Sequence, residues 1–86
     1  MQSTENTPPP LGEFVGACTL LQIEAVHKQF PTRHSLEWFL RRNRDQLTER
    51  GALILVAGRL QFHPARFQEA VVEIGRQAAA GISKAA

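Results

Sequence analysis

Four polar or aromatic residues recur at helical spacing in the middle of this chain: His34, Trp38, Arg41 and Arg42. At about 100° per residue they fall on one side of a helix, and Leu36, Phe39, Leu40 and Asn43 fall on the other. The second face can join a core. The first is basic and aromatic and contains no acid. A solvated helix face usually mixes both signs, so a one-signed cationic face implies a polyanionic partner. The surrounding window points the same way. From Arg33 to Arg66 there are seven arginines against Glu37, Asp45 and Glu49, a net of +4 in a chain whose total is +2. Arginine's planar fork fits phosphate and guanine edges better than lysine's point charge does. An ordinary ion-paired solvent face is the competing explanation of the same charges.

Covalent chemistry finds little support. His27, His34, His63 and Cys18 do not show zinc-ligand spacing, and there is no paired cysteine motif. A glycine-rich phosphate loop and a G-x-S-x-G elbow are both missing. Asp45 and Glu49 lie one helical turn apart in a stretch that reads as loop, where solvation is a simpler role than acid–base work. The expectation is a protein that is not an enzyme, with no catalytic residue, no metal site and no cofactor.

The chain that must hold the basic face is small. Its 86 residues make one domain. A chain of this size buries only roughly 60–65% of its unfolded surface, which leaves no room for a deep cleft with a separate catalytic layer. The longest apolar run, Ala52 to Ala57, is too short to cross a bilayer. The N-terminus lacks a basic region followed by an apolar one, and the single cysteine excludes an intramolecular disulfide. A cytoplasmic protein that does not engage a membrane is expected.

Residues 1–12 read as a polar, proline-ended disordered tail, 13–80 as the folded domain and 81–86 as a frayed tail. Leu11 to Cys18 can pack as a short extended lead-in. A first helix is expected from Thr19 or Leu21 to about Gln29, with Thr19 and Gln22 spaced as a capping box and an apolar stripe of Leu20, Ile23, Val26 and Phe30. Pro31 stops it. Thr32 can cap a second helix that runs to about Asn43 or Arg44. Asp45 to Gly51 reads as a loop, with at most a helical turn at 46–49. Ala52 to His63 reads as a two-stranded hairpin turning at Gly58-Arg59, with Arg59 at or beside its tip. Pro64 suits the first turn of a last helix, with His63 a poor cap before it. That helix has an apolar stripe of Phe67, Ala70, Val71, Ile74 and Ala78.

The order helix, helix, hairpin, helix is the layout of a winged helix-turn-helix: mainly α, with a small β-hairpin. The chain resembles the small excisionase/AlpA-like DNA-binding proteins of mobile genetic elements, which have a MerR-like winged fold. Three segments carry the resemblance: Leu20 to Val26, Pro31 to Leu36, and Val56 to Phe67 with its Gly58-Arg59 pair. The family implies double-stranded DNA binding, with a recognition helix of about 32–43 in the major groove. The wing, about 52–63, would touch the backbone or minor groove. Such proteins act as transcriptional regulators or as recombination directionality factors beside an integrase. The chain departs from the pattern at Leu21, at Glu37, at His63 and in the length of the loop from Arg44 to Ala52.

On this basis Thr32, Arg33, His34 and Ser35 are the candidate base contacts, at the start of the recognition helix. Arg41, Arg42 and Arg59 are candidate phosphate or wing contacts, with Arg44, Arg50 and Arg66 behind them. Trp38 is grouped with the phosphate and wing contacts, and packing on the wing or in a dimer remain open for it. One such module buries limited surface, so useful specificity needs dimerisation or repeated sites, with the last helix and the alanine-rich tail as candidates for the self-contact. The alternative function is a winged-helix adaptor that binds another protein, such as a recombinase, through Trp38 and the apolar wing, without DNA.

Overall fold

The computed structural model describes residues 9–85, with side chains through Gly81. Most of residues 1–12, the expected tail, lies outside the described residues, but Leu11–Glu13 forms a 3-10 turn. The lead-in expected to be extended over Leu11 to Cys18 is so only around Val15, which exchanges two backbone hydrogen bonds with Phe62, at 2.8 and 2.7 Å; a helix has already begun at Ala17.

The single first helix expected over 19–29 is instead two. Helix α1 spans Ala17–Leu21 and α2 spans Glu24–Gln29. Ile23 between them is extended (φ −72°, ψ 127°). Thr19 lies inside α1, so the Thr19–Gln22 capping box does not form. The two helices have different supports. Leu20 of α1 is buried where α1 meets the hairpin, whereas Val26 and Phe30 face the last helix. Phe30 leaves helical geometry (φ −128°, ψ 79°) ahead of Pro31, as the proline demands.

Helix α3 spans Arg33–Glu49. Thr32 caps it as expected. Its hydroxyl accepts the Ser35 N–H at 3.1 Å, and the Ser35 hydroxyl accepts the Thr32 N–H at 3.3 Å. Helical geometry breaks at Asn43 (φ −126°, ψ 19°), near the expected end. There the side-chain amide of Asn43 donates to the Phe39 carbonyl at 3.0 Å, bonding the backbone one turn earlier. The loop expected over 45–51 is mostly helix, however. Leu47 in the resumed segment is fully buried, and this burial holds the segment against the domain. Gly51 then ends the helix at φ +75°. Its N–H bonds the Thr48 carbonyl and the Ala52 N–H bonds the Leu47 carbonyl, the paired closure of a Schellman motif.

Strands β1 (Leu53–Val56) and β2 (Arg59–Phe62) pair antiparallel, with Leu53 opposite Phe62 and Val56 opposite Arg59. The turn is Ala57-Gly58, one residue earlier than expected. Both residues have positive φ (52° and 78°), which is the type I′ pattern of two-residue hairpins. The turn therefore places Arg59 beside the tip, at the first position of β2.

Helix α4 spans Pro64–Ala85. His63, expected to be a poor cap, does cap it: its Nδ1 accepts the Arg66 N–H at 3.2 Å. Its Nε2 lies 2.8 Å from Glu13 Oε1. A ring that accepts at Nδ1 and faces a carboxylate at Nε2 is the Nε2–H tautomer. The frayed end expected from Gly81 is likewise helical as far as Ala85. Phe67 and Ala70 of the apolar stripe are buried and Val71 and Ile74 half-buried, but Ala78 is exposed because α4 has passed the body of the domain. The core centres on Phe67, whose ring stacks edge-on to Phe62 at 5.8 Å and lies 6.0 and 6.3 Å from Phe30 and Phe39. The chain is thus mainly helical with one small antiparallel hairpin.

Candidate nucleic-acid interface

The two faces expected on α3 are realised. Leu36 and Leu40 are buried, and Phe39 and Asn43 half-buried. His34, Trp38, Arg41 and Arg42 are all exposed. The capping box at Thr32 fixes where the exposed face begins. It also occupies Thr32 and Ser35: the Ser35 hydroxyl donates to the Thr32 carbonyl at 2.7 Å besides accepting the Thr32 N–H. Both hydroxyls therefore serve the helix start.

Arg33 sits in the first turn of α3. Its Nε lies 3.5 Å from Glu37 Oε2, with both side chains more than half exposed, and its Nη1 points at Cys18 Sγ, 3.8 Å away. An exposed i, i+4 pair of this kind orients the guanidinium more than it stabilises the fold. Trp38 is 55% exposed and is not among the hydrophobic residues packed on the core. The Arg42 guanidinium stacks over its ring at 4.9 Å, a cation–π contact that restrains both side chains on the outer face.

Arg33 and Arg59 are 26 positions apart in the sequence, yet both line one groove of about 510 Å³ between α1, the start of α3 and the hairpin. Cys18, Thr19, Glu37 and Gln61 share its walls. The hydrogen-bonded Val15–Phe62 pair holds β2 against the lead-in to α1, and so fixes one side of this groove. Arg41, Arg42 and Arg44 border a second depression at the Asn43 kink, together with Asp45. Arg66 takes no part in either, because its side chain lies over Gly51, whose missing Cβ would sit 2.5 Å from Nη1.

Cys18, Thr19 and Gln61 are groove residues that the sequence did not mark as part of this surface. Nothing in their local spacing marks them, since their position depends on how α1 and the hairpin dock. Arg44, by contrast, belongs to the arginine window. Away from this surface, the Glu73 carboxyl on α4 is held below its ordinary value by hydrogen bonds from Arg76, which outweigh the opposing effect of burial, with Gln77 assisting. The same pairing raises the Arg76 guanidinium. Among the described residues no cluster of three His, Cys, Asp or Glu side chains could hold a metal ion, and no helix is long and apolar enough to cross a membrane. No family model, curated protein or solved structure matches this chain.

Proposed function

We propose that this chain is a winged helix-turn-helix protein that binds double-stranded DNA, as a small transcriptional regulator or a recombination directionality factor. The observation that carries the proposal is the shared groove: Arg33 at the start of α3 and Arg59 on the hairpin line one concave surface, and the exposed acid-free stripe of His34, Trp38, Arg41 and Arg42 continues along α3. In this reading α2 and α3 are the helix-turn-helix, α3 enters the major groove, and β1–β2 is the wing. Arg33 and His34 reach base edges, whereas Thr32 and Ser35 hold the helix start and contact DNA only through the backbone of that turn. Arg41, Arg42 and Arg59 bind phosphates.

The test is fluorescence anisotropy on labelled duplexes, one from the region upstream of the gene and one scrambled, across a salt series. Affinity should fall steeply with salt. Arg41→Ala should weaken both duplexes equally and reduce the salt slope by about 0.9. Arg33→Ala should instead erode the preference between the duplexes. If the wild-type protein binds neither duplex at low salt, DNA binding is wrong.

One observation favours a second reading. Leu55 is 67% exposed and Val56 37% exposed on the hairpin, and Trp38 is open on α3. A protein adaptor would use these apolar groups to hold another protein, such as a recombinase. Trp38→Ala would then abolish a protein complex while leaving no salt-dependent DNA affinity to lose.

A further inference from the structure

We propose that two copies of this chain pair through α4, antiparallel, over the groove that α4 forms with α2. That groove, about 440 Å³, has an apolar lining that includes Val26, Phe30, Phe67 and Val71. Val72 stands at its edge and is 70% exposed. Beyond it α4 runs on with residues 75–81 all exposed, although the helix continues to Ala85. Helices draw most of their stability from packing an apolar face, and among the described residues nothing packs on this half. Gln68, Val72, Gly75 and Ala79 follow one another at alternating intervals of four and three, which makes one seam along the helix beside the groove.

Charge selects the occupant and its direction. Glu69 and Arg76 flank this seam on the same side, one heptad apart and evenly placed about Val72-Glu73. In an antiparallel pair centred there, Glu69 of one protomer faces Arg76 of the other, and twofold symmetry repeats the contact. A parallel in-register pair would set Glu69 and Arg76 on the opposite side of the seam from their copies and so would not form these contacts. Arg76 is already held at this flank by Glu73 of its own helix, through Nε at 3.2 Å and Nη2 at 2.6 Å. The face is therefore complementary to itself.

Sedimentation equilibrium of the full chain, without DNA, tests the proposal. Between about 1 and 200 µM the mass should rise from the 9.6 kDa monomer towards twice that value. Val72→Glu changes an exposed side chain, so it should keep the wild-type circular dichroism and remain monomeric over this range. Arg76→Glu should weaken association roughly tenfold or more, and the exchange Glu69→Arg with Arg76→Glu should restore it, since the pairs are then reversed but intact. A wild-type protein that stays monomeric at the highest concentration overturns the proposal. So does a dimer indifferent to Val72→Glu, or a double exchange no better than Arg76→Glu alone. Because no DNA is present, these outcomes do not depend on the DNA-binding proposal, and Arg41→Ala should leave the dimer unchanged.

Discussion

Replacing Gly51 with alanine tests how the long helix hands the chain to the hairpin. Gly51 has φ +75°, and its N–H closes on the Thr48 carbonyl at 3.0 Å. A Cβ there meets two separate obstacles. Left-handed backbone costs an L-residue about 1–2 kcal/mol. Alanine also stiffens the unfolded chain, which offsets about 0.4–1 kcal/mol of that. The second obstacle is the Arg66 guanidinium, 2.5 Å from the Cβ position, but this is the far end of a flexible side chain and can move. The expected net loss is about 1 kcal/mol, which lowers the melting temperature of a domain this size by roughly 4–8 °C. Thermal and urea unfolding followed by circular dichroism would measure it. The same substitution in an Arg66→Ala background separates the two obstacles. Most of the loss should survive there, because removing the guanidinium does not change φ. A loss that disappears in that background would mean that crowding was the cause. No loss in either background would refute the left-handed cap.

Three further outcomes follow from the packing. Leu47→Ala should cost about 2–5 kcal/mol in urea unfolding, because Leu47 is fully buried beyond the kink; a change below about 0.5 kcal/mol, typical of surface sites, would mean that this segment does not dock. Ala57→Asn should raise the melting temperature, since asparagine tolerates the left-handed position better and Asn-Gly suits a type I′ turn; a lower melting temperature would contradict that turn. His63→Ala should lose about 1 kcal/mol, whereas His63→Asn should keep most of the cap to α4. Equal losses for the two would shift the role of His63 from the cap to its contact with Glu13.

Local signals carried far in this chain where a single residue decides the backbone. Pro31 stops α2 and Thr32 starts α3, and both act on their immediate neighbours. The wheel placed Leu36 and Leu40 inside and the arginines outside because α3 packs on one face only. The resumed helix to Glu49 was harder to see. Its one deeply buried anchor is Leu47 among charged neighbours, and the glycine that closes it resembles a loop glycine until its φ is known. The hairpin turns at Ala57-Gly58, one residue before the expected Gly58-Arg59, because alanine at a positive φ carries no compositional signature. The break at Gln22-Ile23 and the approach of Cys18 to Arg33 arise from docking between distant segments, which periodicity does not encode.

If the chain binds DNA as proposed, the commitment of Thr32 and Ser35 to the capping box changes how specificity must be achieved. It leaves Arg33 and His34 as the side chains at the start of α3 that are open to base edges. A good bidentate contact discriminates by about 1–3 kcal/mol, and Arg33 must first exchange Glu37 for a base. Two such residues fall at or below the lower part of the roughly 4–10 kcal/mol that separates specific from non-specific binding. The phosphate contacts proposed for the arginines at 41, 42 and 59 would not close that gap, because such contacts strengthen all sequences alike. A second copy, as proposed above, would close it by doubling the base contacts at a fixed spacing. If α4 joins the copies, Val72→Glu should therefore reduce discrimination between the upstream and scrambled duplexes far more than it reduces binding to the scrambled one. Equal losses on both duplexes would show that a single copy already carries the specificity.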